Sequence, residues 1–102
     1  FAGWTLDIAA RHLVDAQGVV IPLSTGEFKI LHLLADTPNC VFSRDQLTEV
    51  LAGREAGPYD RTIDVMISRL RRRLNDDARD PQLIKTVRSE GYMLSAKVEH
   101  RQ

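Results

Sequence analysis

Cysteine is nearly missing from this sequence. Cys40 is the only one in 102 residues, so no disulfide can form within the chain. Its thiol is read as a buried one. The three histidines, His12, His32 and His100, stand apart, with no cysteine or carboxylate cluster at zinc-like spacing. Neither a structural metal nor a cofactor is expected. No apolar run approaches the roughly 18 residues that suggest a membrane span, and the N-terminus lacks the basic-then-apolar pattern of a secretory signal. These absences together point to a reducing cytoplasm and away from a membrane. Also missing are a phosphate-binding glycine loop, a nucleophile elbow and paired carboxylates that share a pocket. Asp76, Asp77 and Asp80 do cluster, but in a polar stretch read as a solvated turn. An enzyme is not expected. The first residue is Phe1 rather than Met, as expected of a piece of a longer protein or of a trimmed chain.

Net charge is missing too, since 14 Lys and Arg balance 14 Asp and Glu. The balance is not local. Residues 1–60 carry four basic and eight acidic side chains, whereas residues 61–88 carry eight basic and four acidic. A neutral chain with one basic segment still presents a positive face to an anionic partner. What is present in quantity is apolar: 43% of the residues, enough for one globular domain with one core.

The order of elements follows from pattern and punctuation. Trp4, Leu6 and Ile8 recur at period two, and His12–Val14 and Val19–Leu23 flank the turn former Asp15-Ala16-Gln17-Gly18. Residues 1–23 therefore read as an antiparallel sheet of about three strands. Ser24 and Glu27 are spaced as a capping box opening a helix, with Phe28, Leu31, Leu34 and Ala35 on one face and Pro38 beyond its end. A second box, Ser43 and Gln46, opens a short helix with Leu47, Val50 and Leu51 inward, ending near Gly53. Residues 53–60 are a loop by composition, and Asp60 is an N-cap candidate for a third helix to about Asn75. After Pro81, Ile84–Arg88 and Tyr92–Val98 read as strands joined by Ser89-Glu90-Gly91. The whole chain, 1–102, is read as one α+β domain: a sheet at 1–23, three helices within 24–75, and a hairpin at 84–98.

The third helix carries the candidate chemistry. At about 100° per residue, Ile63, Ile67, Leu70 and Leu74 fall in one arc and form its core face. Arg61, Val65, Ser68, Arg69 and Arg72 lie opposite. One or two arginines there would be an ordinary solvated surface. Four between positions 69 and 73, interrupted only by Leu70, are more than helix propensity asks for, and they repel one another unless something anionic meets them. The major groove of B-DNA admits one helix, an arginine fork matches guanine O6 and N7, and an exposed valine suits a thymine methyl. Helices that bind RNA or acidic proteins can carry the same pattern. On the hairpin, Lys85 and Arg88 alternate with Ile84 and Val87, which places Arg88 at the tip, within reach of a minor groove. Alone, that basic tip reads as ordinary surface charge.

Four motifs in order carry a resemblance. They are Leu23-Ser24-x-x-Glu27-Phe28, then Phe42-Ser43-Arg44-Asp45-Gln46-Leu47, then Arg61-Thr62-Ile63-Asp64-Val65 with Ile67-Ser68-Arg69-Leu70-Arg71, and Thr86-Val87-Arg88-x-x-Gly91-Tyr92. Together they span nearly the whole chain and resemble the effector domain of the OmpR/PhoB family of bacterial two-component response regulators. The resemblance implies a winged helix-turn-helix that binds double-stranded DNA and regulates transcription. It implies an N-terminal four-stranded sheet, with Val41 and Phe42 adding the fourth strand. It also implies a receiver domain outside this chain, a sensor histidine kinase that acts on it, head-to-tail binding to direct repeats, and contact with RNA polymerase through loop 53–60.

By the same resemblance Arg69 is the principal reader of the major groove, with Val65 its apolar neighbour. Arg61, Thr62, Met66, Ser68 and Arg72 meet the sugar-phosphate walls. Thr86 and Tyr92 touch the backbone on the wing side, and Arg88 enters the minor groove. Arg71 is left out because its angle puts it at the core edge, although relatives use that position. Three residues depart from the family pattern: Ser89 where the wing has glycine, Met66 where a polar residue is common, and Ala52 where many members carry a large aromatic. A winged helix used only for protein binding is the competing reading, and fold alone does not exclude it.

Overall fold

The computed structural model describes residues 1–51 and 61–98, and at residues 61 and 62 the backbone alone. The expected loop 53–60, with Ala52 and the N-cap candidate Asp60, lies outside the described residues. The described elements run β1 (Thr5–Asp7), β2 (His12–Val14), β3 (Val20–Pro22), α1 (Thr25–Asp36), α2 (Arg44–Leu51), α3 (Arg61–Arg73), β4 (Ile84–Val87) and β5 (Gly91–Leu94). No described helix is long and apolar enough to cross a membrane.

Each boundary has a local cause. Strands β1, β2 and β3 form an antiparallel sheet in that order, with Leu6, Leu13 and Ile21 in one cross-strand row facing the core. Asp15 Oδ1 closes the β2–β3 turn by accepting from the amides of Gln17 and Val19 at 2.9 and 2.8 Å, while Gly18 takes φ +85°. The Ser24 hydroxyl accepts from the Glu27 amide and Glu27 Oε1 accepts from the Ser24 amide, so α1 starts on a complete capping box. Ser43 and Gln46 make the same pair of bonds before α2. Helix α3 stops at Arg73 because Asn75, at φ +54°, turns the chain. The amides of Asn75 and Asp76 then return to the carbonyls of Arg72 and Arg71 at 3.2 and 2.7 Å.

Leu13, Ile30, Leu31, Leu34, Leu47, Leu51, Leu70, Ile84 and Leu94 are fully buried where the three helices meet both sheets. A buried Leu or Ile stabilises the fold by about 1.5–3 kcal/mol, so this single core outweighs any surface contact. The expected α3 face is entirely inside, with Ile63, Ile67, Leu70 and Leu74 at 3% exposure or less.

Four expectations change. The N-terminal sheet has three strands among the described residues, not four. Phe42 instead bridges to Tyr92 on β5, their amides and carbonyls exchanging bonds of 2.8 and 2.9 Å. The segment before α2 is thus drawn to the open edge of the C-terminal hairpin, where a strand offers unpaired amides. Strand β5 ends at Leu94 rather than Val98, because the next amide, Ser95, turns away to the Leu83 carbonyl at 2.7 Å. Cys40 is exposed, not buried, for it lies in the connection between α1 and α2. Asp76 is more than a solvated turn residue: its carboxylate accepts from the amides of Gln82, Leu83 and Ile84, fixing the start of β4.

Candidate nucleic-acid interface

Helix α3 presents two different kinds of arginine. Val65, Ser68, Arg69 and Arg72 are all exposed and spaced i, i+3, i+4 and i+7, so they form one continuous stripe on the face opposite the core. Val65 remains 45% exposed, a poor place for a β-branched apolar side chain unless something covers it. Arg71 and Arg73 are committed elsewhere. Arg71 is 9% exposed and donates from Nε and Nη2 to the Ile84 carbonyl, and from Nη2 to Thr86 Oγ1. Arg73 Nε reaches Glu27 Oε2 at 3.5 Å, pairing α3 with the capping carboxylate of α1. The four-arginine cluster is therefore half stripe and half internal fastening.

Glu27 is 1% exposed. Burial pushes its carboxyl up, but the Ser24 amide and hydroxyl and the Arg73 guanidinium outweigh that, leaving it below the ordinary glutamate range. At the other end of α3, Asp64 Oδ1 accepts from the Tyr92 hydroxyl and from Arg44 Nε. The Tyr92 bond is the main reason its carboxyl lies below the aspartate range, with Arg44 adding to it against some burial. Tyr92 is raised in turn, by burial first and by the Asp64 carboxylate second. Arg44, Asp64 and Tyr92 thereby tie α2, α3 and β5 together.

The wing is the β4–β5 hairpin, in which Val87 pairs with Gly91 and residues 88–90 form an exposed tip. Arg88 is exposed there, as the sequence pattern places it. Ser89 takes φ +65°, a left-handed conformation that glycine adopts without steric cost. Gly91 has no such latitude. At φ +145° its Cα faces the Phe42 carbonyl, and an added Cβ would stand 2.0 Å from that oxygen.

The remaining expected contacts divide. Thr86 is exposed on β4, although its hydroxyl already accepts from Arg71. Tyr92 is 5% exposed and its hydroxyl is occupied by Asp64, so it faces inward. Met66 is half-buried, with its thioether end lying over Gly26 of α1. An apolar residue at this position thus packs helix against helix. The side chains of Arg61 and Thr62 lie outside the described residues.

The fold has counterparts among known proteins. Residues 18–94 match the family described as "Transcriptional regulatory protein, C terminal". The chain belongs to this family, the OmpR/PhoB type. VirG, a regulatory protein of Rhizobium rhizogenes, is 48% identical over 98 residues, which cover 96% of this chain and 41% of VirG. The chain thus spans about two fifths of such a relative. Among solved structures, the RstA DNA-binding domain of Klebsiella pneumoniae, determined in complex with the RstA box, superposes with a TM-score of 0.81. It is 39% identical, and the match covers 93% of each chain. The DNA-binding domain of the response regulator AdeR, in complex with an intercistronic region, gives 0.76 at 26% identity, covering 95% of this chain and 98% of that one. As an OmpR/PhoB-type domain, this one is a winged helix with β4–β5 as the wing.

Proposed function

We propose that this domain binds double-stranded DNA sequence-specifically and is the output domain of a two-component transcription regulator. One observation carries the reading: Val65, Ser68, Arg69 and Arg72 form a single exposed stripe along α3, backed by a completely buried opposite face. The likeness to RstA and AdeR domains held on DNA supports the same partner. Arg69, at the middle of the stripe, reads a guanine edge through its fork, and Val65 covers a thymine methyl. Ser68 and Arg72, with Arg61 and Thr62 about two turns before Ser68, meet the sugar-phosphate walls, which set register without specifying sequence. Thr86 lies against the backbone on the wing side, and Arg88 enters the adjacent minor groove. Met66 and Tyr92 support the interface from behind, by packing on Gly26 and by holding Asp64.

In the whole protein, a receiver domain addressed by a sensor histidine kinase governs this output. Two copies lie head to tail on direct repeats, residues 53–60 meet RNA polymerase, and the setting is the cytoplasm. Selection from a random duplex library tests the reading. Enrichment of one short motif, repeated about one helical turn apart, is the expected result. Recovery of duplexes with no shared motif overturns sequence specificity, and recovery of no duplex at all leaves a protein-binding winged helix.

A further inference from the structure

Of the arginines between Arg69 and Arg73, Arg71 alone is buried, and its side chain bonds only to the wing among the described residues. Nε and Nη2 both donate to the Ile84 carbonyl, at 3.0 and 2.8 Å, and Nη2 also donates to Thr86 Oγ1 at 2.8 Å. Its guanidinium carbon lies 6.0 Å from the centroid of the Tyr92 ring. Among the described residues, no carboxylate pairs with it. A buried cation is costly unless its N–H groups are bonded. Here that cost is met by two acceptors on one strand, two residues apart. A planar fork holding two such points fixes the distance and the direction of β4 relative to α3, which the single ammonium of lysine does not. Two residues beyond Thr86 the same strand delivers Arg88 to the tip, and two residues before Arg71 the helix presents Arg69.

We propose that Arg71 is a positioning residue that locks the wing to α3, so that Arg88 reaches the minor groove in register with the bases met by Arg69. The proposal rests on the DNA-binding reading above. It assigns Arg71 no contact with DNA.

Arg71→Lys, which keeps the charge and loses the fork, and Arg71→Met, which loses both, provide the test through two readouts. Without DNA, amide residual dipolar couplings report the orientation of the wing against α3. One alignment tensor is expected to fit both elements in the parent, and residues 84–94 are expected to depart from it in both variants. Retention of a single tensor in both variants overturns the lock, whatever DNA does.

With DNA, affinity is compared on A·T-rich and G·C-rich flanks, with and without Arg88→Ala. In the parent, Arg88→Ala is expected to cost about ten-fold more on the A·T-rich flank, and in Arg71→Lys that excess is expected to fall to about two-fold. In Arg71→Met, which carries no charge at this position, the salt slope stays that of the parent. A full excess in Arg71→Lys shows that charge alone suffices and overturns positioning, and a slope lowered by about 1 makes Arg71 a phosphate contact instead. A parent that binds no duplex overturns the DNA-binding reading itself, while the dipolar couplings still decide the lock.

Discussion

The hydroxyl of Tyr92 on β5 donates to Asp64 in the first turn of α3, and Arg44 at the start of α2 donates to the same oxygen. One carboxylate therefore sets the entry of α3 against both neighbours. Tyr92→Phe removes one of its two donors. The expected loss is about 1 kcal/mol, less than is usual for a charged acceptor because the Asp64 side chain remains 48% exposed. Asp64 titrates below its ordinary value of 3.8, so its contribution is complete above that pH and is lost as the pH falls through the depressed folded value. Urea denaturation of parent and variant is expected to give a constant gap at neutral pH that closes in this acid range. A gap independent of pH would show that the bond has no part in the acid response.

Gly91 faces the Phe42 carbonyl too closely for any side chain, and its φ of +145° is unsuited to L residues. Gly91→Ala must either break the Phe42–Tyr92 bridge or push the wing outward. A loss of about 2–4 kcal/mol is expected in chemical denaturation. A change below about 0.5 kcal/mol, the size of an ordinary surface effect, contradicts the close approach.

Arg69 occupies the middle of the exposed stripe. Arg69→Ala is expected to cost roughly 1–3 kcal/mol on the selected site and to flatten preference at one base position. Equal losses on selected and scrambled duplexes reduce it to a phosphate contact.

Arg72 and Arg73 are neighbours in sequence with opposite assignments. Arg72→Ala is expected to lower the salt slope of log affinity by about 1 and to leave stability and base preference alone. Arg73→Ala is expected to leave the slope and to destabilise the fold by about 1–2 kcal/mol, since it strips a cation from the buried carboxylate of Glu27. Because Glu27 is held below its ordinary 4.5, that contribution is present above this pH and is lost as the pH falls through the depressed value. Exchanged outcomes for the two variants refute the division of the cluster.

Much of this arrangement is legible in the sequence because its causes are local. Both capping boxes, the Asp15 turn, the core face of α3 and the hairpin each depend on residues a few positions apart. The fates of Arg71 and Arg73 are not legible in this way. Helical angle puts Arg71 at the core edge, but its acceptors lie 13 and 15 residues away, and Glu27 is 46 residues from Arg73. The same limit applies to Phe42, whose β character is visible but whose choice of sheet depends on which edge lies open. Cys40 has a residue type that favours burial, but its place between two helices leaves it in solvent. Ser24, Glu27, Ser43 and Gln46 needed no such tertiary information.

Arg88 stands exposed at the wing tip, where the chain offers one guanidinium on a tight turn. A narrow minor groove, as in an A-tract, concentrates negative potential and favours an inserted arginine. Arg88→Ala is therefore expected to weaken binding most when an A·T-rich stretch flanks the bases met by α3. Replacing that stretch with G·C pairs is expected to weaken the parent and to leave the variant nearly unchanged. The paired comparison separates groove insertion from simple charge, because loss of charge alone weakens both duplexes alike. Arg88→Lys is the sharper control. It keeps the charge, but an ammonium is more strongly hydrated than a guanidinium, so shedding its water in a narrow groove costs more. Partial recovery on the A·T-rich duplex is the expected result, measured as affinity at fixed salt. Equal losses for Arg88→Ala on both flanks place Arg88 on a phosphate outside the groove.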